Sequence, residues 1–165
     1  MLCIGDISFA EPGVTYNSFG LSGVMDMTSE QSAPDAELSV SISQSGKSLR
    51  NTLTFQIAPR LTGAFRYSSI ETTSQTLFDR SFDLRYRLLD ETDRRPALAV
   101  GLQDFIGTGV YSGEYVAASK RLGPVVATAG IGWGRLGSHN SFDNPLGAIS
   151  SRFYNRDAGY TGTGG

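Results

Sequence analysis

Large apolar and polar residues alternate without interruption along residues 82–88. The even positions carry Phe82, Leu84, Tyr86 and Leu88, and the odd positions carry Asp83, Arg85 and Arg87. Because successive side chains of a β-strand point to opposite faces, this segment predicts a strand with one apolar and one charged face. Such a contrast is typical of a strand between lipid and a wet lumen. The polar face of a soluble sandwich, by comparison, is usually a mixture of Thr, Ser and Lys.

Six further segments alternate in the same way. The complete set of predicted strands is 36–43, 51–57, 61–68, 78–89, 97–105, 109–119 and 125–135. Turns and polar loops separate them, and a short strand is also predicted at 23–27. Short connections between consecutive strands favour an all-β fold, an antiparallel up-and-down meander that forms part of an outer-membrane β-barrel.

The pattern divides the chain into four parts. Residues 1–10 are apolar, with the small residues Ser8 and Ala10 before a possible cleavage point, which indicates the remnant of a secretory signal; an ordinary terminus is the alternative. Residues 11–35 form a lead-in segment, and 36–137 the strands of an incomplete barrel. Residues 138–165 are expected to be a loop or a truncated continuation. Bacterial single-chain barrels close with an even number of strands, so either residues 23–27 supply an eighth strand or the chain is only part of a barrel.

Composition excludes several classes of protein. The chain has 165 residues and a formal net charge of −2, so no nucleic-acid-binding surface is expected. Its 20 glycines and 16 Tyr and Phe residues favour strands and turns. Cys3 is the single cysteine, which excludes an internal disulfide and leaves lipidation open.

No motif for catalysis, a cofactor or a metal is found. His139, Asn140 and Ser141 are adjacent in a predicted loop, where they cannot form a catalytic triad. The acidic residues do not follow a calcium-binding spacing. We therefore expect a protein that is not an enzyme, with no cofactor and no metal.

The charged residues of the alternating strands are the candidate site. If the apolar faces meet lipid, the side chains that face the lumen are Arg66, Asp83, Arg85, Arg87 and Glu114. One interpretation is that these groups pair across the wall and hold the strand register. The other is a polar track that binds the hydroxyl or carboxylate groups of a passing polysaccharide, since a guanidinium group binds a carboxylate through two hydrogen bonds.

Eight stretches within residues 20–137 carry a resemblance to a known family. The strongest is 78–91, and the others are 20–27, 34–39, 53–56, 65–67, 96–105, 107–115 and 132–137. In these stretches the chain resembles the YjbH-type exopolysaccharide biosynthesis proteins, which are related to the WbfB group of capsule-assembly proteins. Members of that family are several times longer than this chain.

The resemblance implies a function and a location. It implies a β-barrel of the bacterial outer membrane that assists secretion or assembly of extracellular or capsular polysaccharide without catalysis. The expected partners are outer-membrane lipid, the polysaccharide and other proteins of exopolysaccharide secretion. Two alternatives stay open at this point: a soluble periplasmic β-sandwich that binds carbohydrate, and a general diffusion porin.

Overall fold

The computed structural model describes residues 13–137 and 142–153, except for the side chain of Arg152. The predictions for residues 1–10 and Cys3, and for the triplet His139, Asn140 and Ser141, lie outside the described residues. The same holds for residues 154–165. Two short 3-10 helices, Pro145–Ala148 and Ser151–Phe153, follow the strands. None of the helices among the described residues is long and apolar enough to cross a membrane.

In the part of the chain that the structure describes, two strands form a small hairpin and seven form one large sheet. The hairpin joins β1 (Gly23–Val24) to β2 (Met27–Thr28). The large sheet is formed by β3 (Leu38–Ser45), β4 (Ser48–Ala58), β5 (Leu61–Glu71), β6 (Thr76–Leu89), β7 (Ala97–Gly107), β8 (Gly113–Leu122) and β9 (Val125–Gly134). Spatial order follows sequence order, and every neighbouring pair is antiparallel.

This arrangement confirms the predicted all-β antiparallel meander. The seven predicted strands are present in order, and the hairpin coincides with the predicted short strand at 23–27. The largest difference is the start of β8, at Gly113 rather than at residue 109. Gly107 and Gly109 adopt positive φ angles of 149° and 78°, and a Cβ at Gly107 would collide with the Arg80 carbonyl oxygen. The chain therefore turns through residues 108–112 before β8 begins.

The large sheet is curled into an open half-barrel, with β3 and β9 as its edges among the described residues. Ser48 lies at the start of β4, and Tyr111 follows β7, yet their hydroxyl oxygens are 3.1 Å apart. In a flat sheet these strands would be about 14 Å apart, because neighbouring strands are about 4.8 Å apart. The curl and the loop after β7 bring the two residues together over the inner side of the sheet.

The two faces of the sheet have an inverted distribution of burial. The buried inner side, here called the polar face, carries Arg50, Thr52, Thr54, Gln56, Thr62, Ala64, Arg66, Ser68, Asp79, Ser81, Asp83, Arg85, Ala97, Ala99, Gln103, Tyr115, Ala117 and Ser119. The exposed outer side, here called the apolar face, carries Leu38, Val40, Ile42, Leu49, Leu53, Phe55, Ile57, Phe78, Phe82, Tyr86, Leu88, Val125 and Ile131. Val40 is 73% exposed, whereas Arg66 and Arg85 are 0% exposed. A sheet in water normally shows the opposite preference.

Candidate functional site

Arg66 and Asp83 form a buried ion pair on the polar face. Arg66 Nη1 donates to Asp83 Oδ2 at 2.7 Å, and Nη2 donates to Oδ1 at 3.1 Å. Both side chains are fully buried, and Asp83 also accepts the backbone N–H of Asp104 at 2.8 Å. A fork-like pair of hydrogen bonds satisfies the carboxylate and fixes the register of β5 against β6. The structure therefore shows pairing across the wall for these two residues.

Arg85 is buried on the same face but has a different environment. Its Nη1 donates to the Ser29 carbonyl at 2.8 Å, and its Nη2 lies 3.1 Å from both Ser32 Oγ and Thr62 Oγ1. Thr62 in turn donates to the side-chain carbonyl of Gln56 at 2.8 Å. Arg85 therefore connects the sheet to the segment that precedes it.

Arg87 lies apart from these two arginines. It is half-buried at the end of β6, where its Nε is 3.2 Å from Asp90 and its Nη2 donates to the Pro59 carbonyl. In the same turn the exposed Glu91 accepts the backbone N–H of Arg121 at 2.8 Å, which lowers the pKa of that carboxyl group. Arg87 thus belongs to a charged cluster at one end of the sheet.

Glu114 differs from its predicted placement. It pairs with Leu102 and Trp133 in the register, so it lies on the side opposite to Tyr115. A lumen-facing Glu114 requires its neighbours Tyr115 and Ala117 to face outward, but both are buried on the polar face. Glu114 is itself buried, because the chain after β9 covers this end and Asn144 donates to its Oε2 at 2.7 Å.

Residues 13–33, here called the inner segment, pack against the polar face. Four side chains of the sheet donate to its backbone carbonyls: Ser43 to Ser18 at 2.5 Å, Thr54 to Gly20 at 2.6 Å, Arg66 to Phe19 at 3.1 Å and Arg85 to Ser29 at 2.8 Å. Gly20 has a φ of 80°, and a Cβ there would lie 2.5 Å from that of Thr52, so only glycine permits this close approach. The inner segment therefore fills part of the space enclosed by the sheet.

The start of the inner segment is held by a tyrosine. The Tyr16 hydroxyl donates to Glu37 Oε1 at 3.1 Å and lies 2.6 Å from Ser39 Oγ. Burial raises the pKa of the Tyr16 hydroxyl above its ordinary value, so it stays protonated and able to donate. This contact fixes the inner segment to the beginning of β3.

Two arginines and two aromatic rings form a cluster between the inner segment and the loop after β7. The guanidinium carbon of Arg50 is 4.6 Å from the centroid of the Phe19 ring and 5.3 Å from that of Tyr111. The corresponding distances for Arg66 are 5.1 Å and 5.5 Å. The two rings meet edge to face at 5.6 Å. Cations at these distances are attracted to the ring faces.

Sequence reasoning missed Arg50 and Tyr111 as members of the site. Arg50 continues the alternation of Thr52, Thr54 and Gln56, but the predicted strand began at residue 51. Continuing the alternation from Thr52 back by two positions places Arg50 on the polar face. Tyr111 was assigned to a strand, whereas it lies in the loop after β7. No sequence signal places that loop over β4.

The chemistry of the polar face is hydrogen bonding and charge. It presents guanidinium, hydroxyl, amide and carboxylate groups, which suit the hydroxyl and acidic groups of carbohydrates. Within residues 13–137 and 142–153, no three His, Cys, Asp or Glu residues are grouped so as to hold a metal ion.

The comparisons with known proteins identify the family. The model of the family described as exopolysaccharide biosynthesis protein YbjH matches residues 15–165. The chain is also 33% identical over 172 residues to a protein of Escherichia coli (strain K12) named "Uncharacterized lipoprotein YjbH". That match covers 98% of this chain but 25% of the relative, so the chain spans about a quarter of the relative's length. No solved structure shows significant similarity to the chain. The chain therefore belongs to the YjbH family of exopolysaccharide biosynthesis proteins.

Proposed function

We propose that this chain forms part of a β-barrel in the bacterial outer membrane, where it assists secretion or assembly of exopolysaccharide without catalysis. The inverted burial of the large sheet is the observation that carries the proposal. Its outer side exposes large apolar groups such as Val40 and Phe82, while charged groups such as Arg66 and Asp83 are buried inside. A transmembrane barrel has this distribution, because its outer face contacts lipid and its inner face is polar.

The strand lengths support the same conclusion. β4, β5 and β7 each have 11 residues. At about 3.3 Å per residue such a strand is about 36 Å long, and a tilt of about 45° gives a height of about 25 Å. This height matches the apolar band of an outer-membrane barrel.

The two alternatives are less well supported. A soluble sandwich would need a second large sheet against the apolar face, and residues 13–137 and 142–153 contain one large sheet. A general diffusion porin would need an open water-filled path, whereas the inner segment packs on the polar face. Both alternatives remain outcomes of the test below.

The role in polysaccharide production rests on the family. The matching family is described as one of exopolysaccharide biosynthesis, and the E. coli relative is named a lipoprotein, which is consistent with a cell-envelope location. We infer that the partners are outer-membrane lipid, the polysaccharide and other proteins of its secretion. A non-enzymatic role fits the polar face, whose groups are suited to binding a polymer.

Cell fractionation of the complete gene product tests the proposal. We expect recovery in the outer membrane, with a folded band whose gel mobility changes on boiling, and loss of extracellular polysaccharide when the gene is deleted. Recovery in the soluble periplasm would contradict the barrel. Single-channel conductance without any effect on polysaccharide would favour the porin.

A further inference from the structure

Arg50 is a buried cation without a charged partner in the part of the chain that the structure describes. It is 8% exposed, and its Nε and Nη1 have no hydrogen-bond partner within residues 13–137 and 142–153. Among the residues that the structure describes, no carboxylate lies within ion-pair distance of it. Such a group is destabilising unless something compensates its charge, so it requires an explanation.

The other arginine of the cluster does not share this property. Arg66 is held by both oxygens of Asp83 and also donates to the Phe19 carbonyl. Asp79 is aligned with Arg50 through Ser68 in the register, but it lies two strands away. The backbones of Arg50 and Asp79 are therefore about 9–10 Å apart. Arg50 is therefore the cation of the cluster that remains available to an anion.

The surroundings of Arg50 combine hydroxyl groups with aromatic rings. Its register partner on β5 is Ser68, whose buried Oγ has no hydrogen-bond partner among the described residues. Ser48, two residues before Arg50, has its Oγ 3.1 Å from the Tyr111 hydroxyl. The Phe19 ring contacts the guanidinium group from the inner segment. A cation, hydroxyl groups and an aromatic ring together are the groups that recognise an acidic sugar.

We propose that Arg50 binds a carboxylate of an acidic polysaccharide, with the Tyr111 ring against the sugar and Phe19 in the place of the sugar when no polymer is bound. The inference rests on the proposed function and adds the class of polymer to it. A guanidinium group binds a carboxylate through charge-assisted hydrogen bonds, which Arg50 does not make within the described structure. Phe19 lies on the inner segment, so its ring can be removed without changing a strand of the large sheet.

Binding of a defined sugar to the complete gene product in detergent tests this inference. The probes are a short oligogalacturonate and a neutral maltooligosaccharide of equal length, measured by calorimetry. We expect Phe19→Ala to bind the oligogalacturonate about tenfold more tightly than the unchanged protein, since the ring no longer occupies the site. Adding Arg50→Met should lower that affinity by about tenfold or more, as expected for loss of a charge-assisted hydrogen bond.

Two controls make the result specific. Arg60→Met makes the same change at an exposed arginine that pairs with Asp90 in a turn, and it should leave binding unchanged. The neutral sugar should bind weakly to every variant. Arg50→Met keeps the apolar stem and removes an unpaired charge, so the variant should fold, and its heat-modifiable band verifies this.

Equal affinity of the Phe19→Ala protein with and without Arg50→Met would overturn the inference, as would equal binding of the two sugars. An increase in the unfolding temperature of Phe19→Ala with oligogalacturonate, lost on adding Arg50→Met, provides a second readout. If the protein is recovered in the outer membrane and is needed for the polymer, a negative binding result refutes this inference alone. If it is recovered as a soluble protein, the proposed function fails while the binding comparison still stands.

Discussion

Two arginine substitutions on the apolar face of β4 test whether that face contacts lipid. Leu53 is the central residue of the strand, in register with Val40 and Phe65, and Leu49 lies on the same face near its beginning. Their side chains are exposed to similar extents, 44% and 38%. Leu53→Arg and Leu49→Arg therefore make the same chemical change at two positions along one strand.

The expected magnitudes follow from the depth of each residue. Leu49 and Leu53 are four positions apart in the sequence. This corresponds to about 13 Å along the strand and about 10 Å along the membrane normal at a tilt of about 40°. An arginine facing lipid at the midplane destabilises a barrel by about 2–4 kcal/mol, and near the interface by about 0–1 kcal/mol. We expect Leu53→Arg to fall in the first range and Leu49→Arg in the second. On a face exposed to water, both changes would be within about 0.5 kcal/mol of neutral.

The free energy of unfolding is measured by guanidinium titration of the complete gene product in phospholipid vesicles. The slope of the transition must be the same for both variants, so that the midpoints report stability. Equal effects of Leu53→Arg and Leu49→Arg, both near zero, would refute the assignment of the apolar face to lipid.

Three further predictions concern the polar face, the turns and the inner segment. Asp83→Asn should lower the free energy of unfolding by about 3–5 kcal/mol, because it leaves the Arg66 charge buried and unpaired, whereas Asp90→Asn in an exposed pair should cost about 0–1 kcal/mol. Both free energies are to be measured by denaturant unfolding. Equal losses of stability for Asp83→Asn and Asp90→Asn would contradict a buried ion pair between Arg66 and Asp83. The lowered pKa of Glu91 means that it stabilises the fold above its unfolded pKa and that this contribution is lost as the pH falls through its folded pKa. Glu91→Gln should therefore reduce the loss of stability on acidification, measured as the free energy of unfolding against pH. The same pH profile for both proteins would argue against a stabilising contribution from ionised Glu91. Gly20→Ala should displace the inner segment, seen as faster limited proteolysis within residues 13–33, while the large sheet stays protected.

The alternation of residue types was sufficient to predict the large sheet. Strands β3 to β6 have clear period-two patterning, and turns interrupt the pattern where the structure has its hairpins. The pattern also assigned the faces of β6 correctly, because Asp83 and Arg85 are large charged groups that contrast with Phe82 and Leu84. Local sequence is informative here because pairing with the next strand along the chain needs no long-range information.

The candidate site could not be predicted in the same way. The cluster of Phe19, Arg50 and Tyr111 combines the inner segment, a strand and a loop, and their contact depends on the curl of the sheet. In β8 the contrast between the faces is weak: Tyr115 and Ala117 are apolar but buried, so the faces were interchanged and Glu114 was misplaced. Strands with small or amphipathic residues on both sides do not indicate which face is buried.

Strand direction limits what can complete this sheet. Six antiparallel pairings separate β3 from β9, so these two edges run in the same direction. If the edges met each other, or if a second copy inserted in the same orientation supplied the missing wall, the seam between β9 and β3 would be parallel. A closed barrel in which every neighbouring pair is antiparallel instead needs an odd number of additional strands between β9 and β3. Strand direction therefore favours a wall built from a different stretch of polypeptide over a copy of this same sheet.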